Sequence, residues 1–358
     1  MDSKELAQIK KYLHLVEEKS KDIAILLILG RSSSLKENQN LVYLSERALT
    51  LDKANDLINR FRKSGCYVKC YDDEIHFMKE ALSGKLENIP KPIKFVYSAS
   101  AENSGPGFRA LIPSFCSRLG IKYLNSNAHS RSLVWHKYHN TLLMERLGIP
   151  VPKTWQFDYI NGWSNNQYPK EGTEIIIKPT YEAWAVGVEG SSIQSFSKKS
   201  LEFISDKSRS FMQPFVVQEF IEGEEVYAPI IELETQICPN VMEVGFIDKK
   251  KSNRNIQTFL DNKNPLSINF KPIKNKIKLV EKISNISKNV MKALEISCVA
   301  RVDFRVSSNE NVYVFDVAEV PSLHPDHAFS LSFYNNGLSK HDTVSLMIAA
   351  NLIEHKLI

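Results

Sequence analysis

The five cysteines of this 358-residue chain, Cys66, Cys70, Cys116, Cys238 and Cys298, form no CxxC pair and are odd in number. That argues against a disulfide framework and against a zinc site, and leaves reduced, mostly buried thiols. Long apolar runs are missing too. The longest, Ile23 to Leu29, is far too short to span a bilayer, and the Gly30 that stops it marks the end of a buried strand, so no membrane partner is expected. Ahead of that strand stand Lys4, Glu5, Lys10, Lys11, Glu17, Glu18 and Lys19, with no apolar core or small-residue cleavage site of a secretion signal; the expected location is cytoplasmic. There is no basic stripe and no aromatic RNA-binding motif. The net charge of +5 comes from lysines interleaved with acids, which suits an anionic small ligand and disfavours nucleic acid. P-loop, GxGxxG, repeat and low-complexity patterns are likewise absent. What remains is an ordinary globular composition, 43% hydrophobic and 24% charged, with length for two or three domains.

The pattern along the first third is α/β. Strands are expected at Ile23–Leu29, Tyr67–Tyr71, Phe95–Tyr97 and Lys122–Leu124, and helices at Ser45–Ser64, ended by Gly65, and at Phe108–Leu119, closed by Gly120. Such alternation predicts a parallel sheet covered by helices. A second unit begins near Ser132 with a helix that ends at Gly148 before Ile149-Pro-Val-Pro152. Strands then dominate, at Ile175–Lys178, Phe215–Gln218 and Tyr227–Leu233, giving α+β character to the C-terminal part. Residues 248–275, rich in lysine and asparagine with little apolar periodicity, read as a long basic loop. Helices at Lys276–Leu294 and Asp342–Glu354 flank a hairpin.

That hairpin carries the chemistry. Ala300-Arg-Val-Asp-Phe-Arg-Val306 and Val312-Tyr-Val-Phe-Asp-Val-Ala318 are β-branched and aromatic runs separated by a turn-forming stretch. A register pairing Val302, Phe304 and Val306 with Val317, Phe315 and Tyr313 sets Asp303 opposite Asp316. Like charges so placed destabilise a sheet unless a cation or proton relieves them, and a hard divalent ion with oxygen ligands does so. The alternative is a surface hairpin whose aspartates are neutralised by Arg301 and Arg305. Three further segments bear on the choice. Lys178 ends a strand and precedes the small-residue loop Pro179–Gly187, which could fold over phosphate. Gln218-Glu-Phe-Ile-Glu-Gly-Glu-Glu225 could offer backbone groups to a purine and a carboxylate to a ribose. Lys137 stands in a helix start ahead of Gly148-Ile-Pro-Val.

Their order, lysine, Gly-Ile-Pro-Val-Pro, strand-lysine-proline loop, Gln-Glu-Phe-Ile-Glu-Gly-Glu-Glu, Arg-Val-Asp-Phe-Arg and Phe-Asp-Val, resembles the ATP-grasp superfamily and, within it, the D-alanine:D-alanine ligase-like branch. The match covers roughly residues 130–330. It implies a three-domain architecture, an N-terminal α/β domain (1–131), a central domain (132–222) and a C-terminal domain (223–358) with a lid at about 248–275, holding ATP between two α+β domains. By matching positions it implies that Lys137 and Lys178 bind nucleotide phosphates, that Gln218, Glu219, Phe220 and Ile221 form the adenine hinge, and that Glu225 meets the ribose. Asp303 and Asp316 would hold Mg²⁺, with Mn²⁺ as an alternative, Arg301 would steady the acyl-phosphate and tetrahedral intermediate, and Lys263 of the lid, with Lys249 to Lys251 as rivals, would touch the γ-phosphate.

The implied reaction is ATP-dependent ligation of a small-molecule carboxylate and an amine through an acyl-phosphate, with a homodimer as the family's common assembly. Departures from the pattern shift the expected substrate. Ala318 replaces a metal-binding Asn, and Glu319 would need a bulge to substitute for it. Trp184 and Ala185 replace paired serines. Ser322, His324 and His327 occupy the stretch that holds the second substrate's carboxylate, where the histidines bind acid, move a proton or cap the next helix. These changes predict an amino-acid ligase of a specialised biosynthetic pathway. A cell-wall D-alanine:D-alanine ligase and a catalytically inactive ATP-binding regulatory protein are the alternatives.

Overall fold

Three sheets, each with its own apolar backing, organise the molecule. A computed structural model of the chain describes residues 1–30, 49–99, 105–247, 254–264 and 266–358. The chain opens with helix α1 (Ser3–Lys19), begun by a capping box in which Asp2 accepts from the Lys4 and Glu5 amides. The first sheet is parallel, in the order β2–β1–β3–β4, from β1 (Ile23–Ile28), β2 (Tyr67–Tyr71), β3 (Ile93–Ser98) and β4 (Lys122–Tyr123). Every residue of β1 is buried, as a continuous apolar strand between two helical layers must be. Helices α2 (Leu51–Lys63), α3 (Glu74–Leu82) and α4 (Leu111–Arg118) connect these strands. The expected helix from Ser45 starts at Leu51, where Thr50 caps it; the stretch 45–48 lies outside the described residues. It ends before Gly65, whose φ of +81° favours glycine and where a Cβ would meet the Ser20 hydroxyl at 2.7 Å.

Helices α5 (Ala128–Trp135) and α6 (Lys137–Arg146) are parted by His136, whose imidazole Nδ1 accepts from the His139 amide at 3.3 Å and so starts α6 at Lys137. The second sheet follows, in the order β6–β5–β9–β7–β8, from β5 (Thr154–Asp158), β6 (Gly162–Trp163), β7 (Glu174–Pro179), β8 (Ile193–Ser195) and β9 (Phe215–Glu219), with α7 (Lys198–Phe211) packed on it. The third sheet comprises β10 (Glu224–Glu232), β11 (Gln236–Ile237), β12 (Met242–Phe246), β13 (Ile268–Pro272), β14 (Val299–Val306) and β15 (Val312–Ala318), ordered β13–β12–β10–β14–β15 with β11 on β10. Helices α8 (Phe259–Lys263), α9 (Ile277–Ala293), α10 (Ala328–Tyr334) and α11 (Asp342–Glu354) complete the chain.

Residues 248–275 are therefore not simply a loop: α8 and β13 lie within them, with residues 248–253 outside the described part. One apolar cluster unites Ile9, Tyr12 and Val16 of α1, Ile25 and Leu27 of β1, Ile231 of β10 and Leu346 of α11. The second sheet has a separate core of Trp155, Ile175, Ile177, Phe196, Ile204, Phe215 and Val217. Among the described residues no helix is long and apolar enough to cross a membrane.

Candidate active site

The site grows from the two-residue period of β10, β14 and β15. Val226, Ala228 and Ile230 of β10 and Ala300, Val302, Phe304 and Val306 of β14 face α9, where Leu279, Ile283, Val290 and Met291 complete the core. The residues between them, Glu225 and Tyr227 on β10 and Arg301, Asp303 and Arg305 on β14, share the other face, with Glu225 opposite Arg305 and Tyr227 opposite Asp303. Asp303 pairs with Asp316 and Val302 with Val317, as expected. The rest of the expected register is wrong: Phe304 pairs with Val314 rather than Phe315, and Val306 with Val312 rather than Tyr313. A bulge at Phe315 is the reason. Val312 and Val314 belong to the core, and so does Val317, three residues on; one extra residue is needed for all three to face α9. The Phe315 carbonyl at this bulge accepts the Lys178 ammonium at 2.8 Å.

Asp303 is buried and gripped by a two-pronged guanidinium contact, Arg301 Nε and Nη2 to its two oxygens at 2.7 Å each. Burial raises its carboxyl to about 7, against the pull of Arg301, with Asp316 and Glu225 adding to the rise. Arg301 lies over the Tyr227 ring at 4.4 Å, and although burial works against its charge, Asp303 holds it firmly protonated. Asp316 is more open and meets Lys137 Nζ at 3.7 Å. Lys137 also donates to the Glu182 carbonyl at 2.6 Å. Lys178 is buried and donates to Gln218 Oε1 at 3.2 Å. Burial lowers it to about 8, and Lys137 contributes, while Asp316, Asp303 and Glu225 oppose the fall. The structure thus brings together both aspartates, both lysines and Arg301. The surface-hairpin alternative fails for Asp303, which is only 3% exposed, and Arg305 serves neither aspartate: it donates to the Ile221 and Asn255 carbonyls and approaches Glu225 at 3.7 Å.

The hinge residues divide. Gln218 points its side chain inward, bracing Lys178 and donating to Thr154 Oγ1 at 2.9 Å. Glu219 is exposed at the end of β9, Phe220 is buried under Arg305 at 5.2 Å, and the Ile221 carbonyl is taken by Arg305. Glu225 is buried, accepts from Tyr227 Oη at 2.8 Å, and has its carboxyl raised by burial.

In the loop after Lys178, Trp184 and Ala185 both adopt left-handed backbone, φ +57° and +55°, a conformation costing about 1–3 kcal/mol at each non-glycine residue. Trp184 is half exposed, its ring faced by Lys53 at 5.8 Å and its carbonyl held by Asn262 of α8. Lys263 is the last residue of α8, but its side chain lies outside the described residues, as do Lys249 to Lys251. Glu319 is buried against Arg131 at 3.8 Å, and among the described residues no three His, Cys, Asp or Glu side chains converge; Glu319 does not join the aspartate pair. Ser322 Oγ accepts from the His324 amide, and His324 Nδ1 from the Asp326 amide at 3.2 Å. His327 precedes α10 but makes no capping bond. Burial, then His324, Arg301 and Arg60, lower it to about 4, so it is neutral near pH 7 and a weak base.

Sequence reasoning missed Tyr227, Gln257 and Asn262. Strand parity from Glu225 would have found Tyr227; the other two sit in the segment read as a loop and carry no pattern of their own.

A family model for the C-terminus of D-Ala–D-Ala ligases matches residues 143–349, more than half of the chain. The chain belongs to the D-alanine–D-alanine ligase family. This ligase-family chain is 22% identical over 246 residues to the D-alanine–D-alanine ligase of Lactococcus lactis subsp. cremoris strain SK11, covering 66% of each protein, just under two thirds of that relative. It is 24% identical over 315 residues to the enzyme of Carboxydothermus hydrogenoformans, covering 86% of this chain and 95% of the other. Among solved structures, the Bacillus anthracis D-alanine–D-alanine ligase complexed with ATP superposes with a TM-score of 0.68 at 19% identity, covering 93% of this chain and 99% of that one. The VanG D-Ala:D-Ser ligase of Enterococcus faecalis gives 0.59 at 15% identity, covering 92% and 100%. The fold is accordingly that of the ATP-grasp ligases.

Proposed function

We propose that the protein is an ADP-forming ligase that uses ATP to join the carboxylate of one amino acid to the amine of another, with D-alanine as both substrates. The observation that carries this reading is Asp303 opposite Asp316 on one sheet face, with Lys137 and Lys178 brought to them from α6 and β7. The relatives' names favour D-alanine over the specialised-pathway substrate that the sequence departures alone suggest.

The donor set suits magnesium, which takes oxygen ligands, keeps several waters and is bound by one or two carboxylates together with phosphates. Burial has pushed Asp303 up to about 7, so a divalent cation there would restore its carboxylate. Asp303 and Asp316 would hold it; when bound, such an ion neutralises charge on a transferring phosphoryl group. Lys137 and Lys178 bind the phosphates and hold them in line with the donor carboxylate. Arg301 stands beside Asp303 to stabilise the oxyanion of the tetrahedral intermediate. The segment from Arg254 to Pro272 covers the cleft and keeps water from the acyl-phosphate, with Lys263 offered to the γ-phosphate. His327, neutral and weakly basic, accepts a hydrogen bond from the amine substrate rather than its proton.

Incubation with ATP, Mg²⁺ and D-alanine should release ADP and D-alanyl-D-alanine in equal amounts. Turnover only with another amino-acid pair would move the substrate assignment, and ATP binding without turnover across a broad panel would favour the regulatory alternative.

A further inference from the structure

A single file of hydrogen bonds runs from the third sheet through the lid segment to the loop after Lys178. Tyr227 Oη contacts Glu225 Oε1 at 2.8 Å and Gln257 Oε1 at 2.5 Å. Gln257 Nε2 donates to Asn262 Oδ1, and Asn262 Nδ2 donates to the Trp184 carbonyl, each at 2.5 Å. The direction of this file is fixed at one end. A backbone carbonyl can only accept, so Asn262 must present its NH₂ to Trp184, its oxygen must accept from Gln257, and the Gln257 oxygen must accept from Tyr227. Tyr227 has one hydroxyl hydrogen and two acceptors waiting for it.

We propose that this one hydrogen makes Tyr227 a positioning residue that couples ribose binding at Glu225 to closure of the lid segment, with Gln257 and Asn262 as the latch on the phosphate loop. The inference rests on reading Glu225 as the ribose acceptor. With Glu225 free of nucleotide, its carboxylate competes for the hydrogen and leaves the Gln257 oxygen facing the Tyr227 oxygen. Ribose hydroxyls donating to Glu225 weaken that claim; the hydrogen turns to Gln257, and the file closes onto Trp184. The left-handed backbone of Trp184 and Ala185 is then held where the loop covers the phosphates.

The test is tryptic cleavage after Arg254, which in the closed arrangement bridges Glu174 and Glu222. Magnesium and a non-hydrolysable ATP analogue should slow cleavage of the native chain about tenfold. The 2′,3′-dideoxy form, at saturation, should not. Asn262→Asp, a near-isostere whose carboxylate meets the Trp184 carbonyl, and Gln257→Leu should both lose the protection at an unchanged melting midpoint. With D-alanine present they should also release severalfold more ADP per dipeptide formed, as unprotected acyl-phosphate hydrolyses. Equal protection by the dideoxy analogue, or wild-type protection in both variants, would overturn the coupling. Absence of ADP release from the native chain sinks the ligase reading instead, and leaves the cleavage arm to judge the latch.

Discussion

At the scale of single residues, the two aspartates do different work because their surroundings differ. Asp303 is enclosed and forked by Arg301, so its loss strands a buried guanidinium; Asp316 is partly open with Lys137 its nearest cation. Asp316→Asn should therefore reduce ADP release on the order of a hundredfold, the scale of several kcal/mol attached to metal-assisted charge neutralisation, while the melting midpoint stays near that of the native chain. A coupled ADP assay beside a thermal melt checks both halves. Lys178 gives a pH signature. Its folded value of about 8 lies below the ordinary 10.5, so the folded state holds fewer protons than the unfolded one between those values. Burying it costs stability below pH 8, and that cost fades as pH rises from 8 to 10.5. Nucleotide affinity follows the opposite course, because the lysine binds phosphate only when charged: the dissociation constant for Mg·ATP should climb as pH passes 8. Lys178→Met should bind weakly at every pH and lack that climb, as calorimetric titration at a series of pH values would reveal. The residues behind both expectations were legible in the sequence, because charge at a strand end and like charges in cross-strand register are local facts. The Arg301 fork was not, since it depends on which rotamers the packed sheet allows.

At the scale of elements, Gly223 governs the turn into β10. Its φ is +151°, and a Cβ there would stand 2.0 Å from the Val306 carbonyl oxygen, a backbone atom that cannot swing aside. Gly223→Ala should cost about 3 kcal/mol, at the upper end of overpacking, through displacement of β14 from β10, and should lower the urea midpoint. The first sheet could be read from the sequence because buried parallel strands are continuous apolar runs and its helices end at glycines. Helix α7 escaped because two positions on its buried face are serines: Ser208 donates to the Gln213 carbonyl and accepts from the Tyr159 amide, leaving only a thin apolar stripe. Helix α8 has five residues, fewer than two turns, too few for any period to show. The bulge at Phe315 was hidden for another reason. Val-Tyr-Val-Phe-Asp-Val alternates well enough to suggest an unbroken strand, and only the shared demand of Val314 and Val317 for the same core exposes the extra residue.

At the scale of the whole molecule, α1 ties the first sheet to the third. Ile9, Tyr12 and Val16 are buried in the cluster that contains β1, Ile231, Leu233, Ile237 and α11, and the far side of the helix reaches Glu234 through Lys11 at 2.6 Å and Tyr12 Oη at 2.8 Å. The exposed Lys11–Glu234 pair adds little by itself, since such pairs are worth about 0–1 kcal/mol. The apolar stripe is the stronger tie: Ile9→Ala, at a fully buried position, should cost about 2–5 kcal/mol. The second sheet has a core that shares no residue with this cluster, which makes the consequence of that loss specific. In native-state hydrogen exchange, the amides of β1 and of the Ile230–Ile231 end of β10 should accelerate together, on the order of a hundredfold or more, because they open as one cooperative unit. The amides of β7 and β9 should exchange at their native rates. Uniform acceleration across all three sheets would mean that the second sheet unfolds with the others, and that the cleft between Lys178 and the aspartates lies inside one cooperative body rather than at the seam of two.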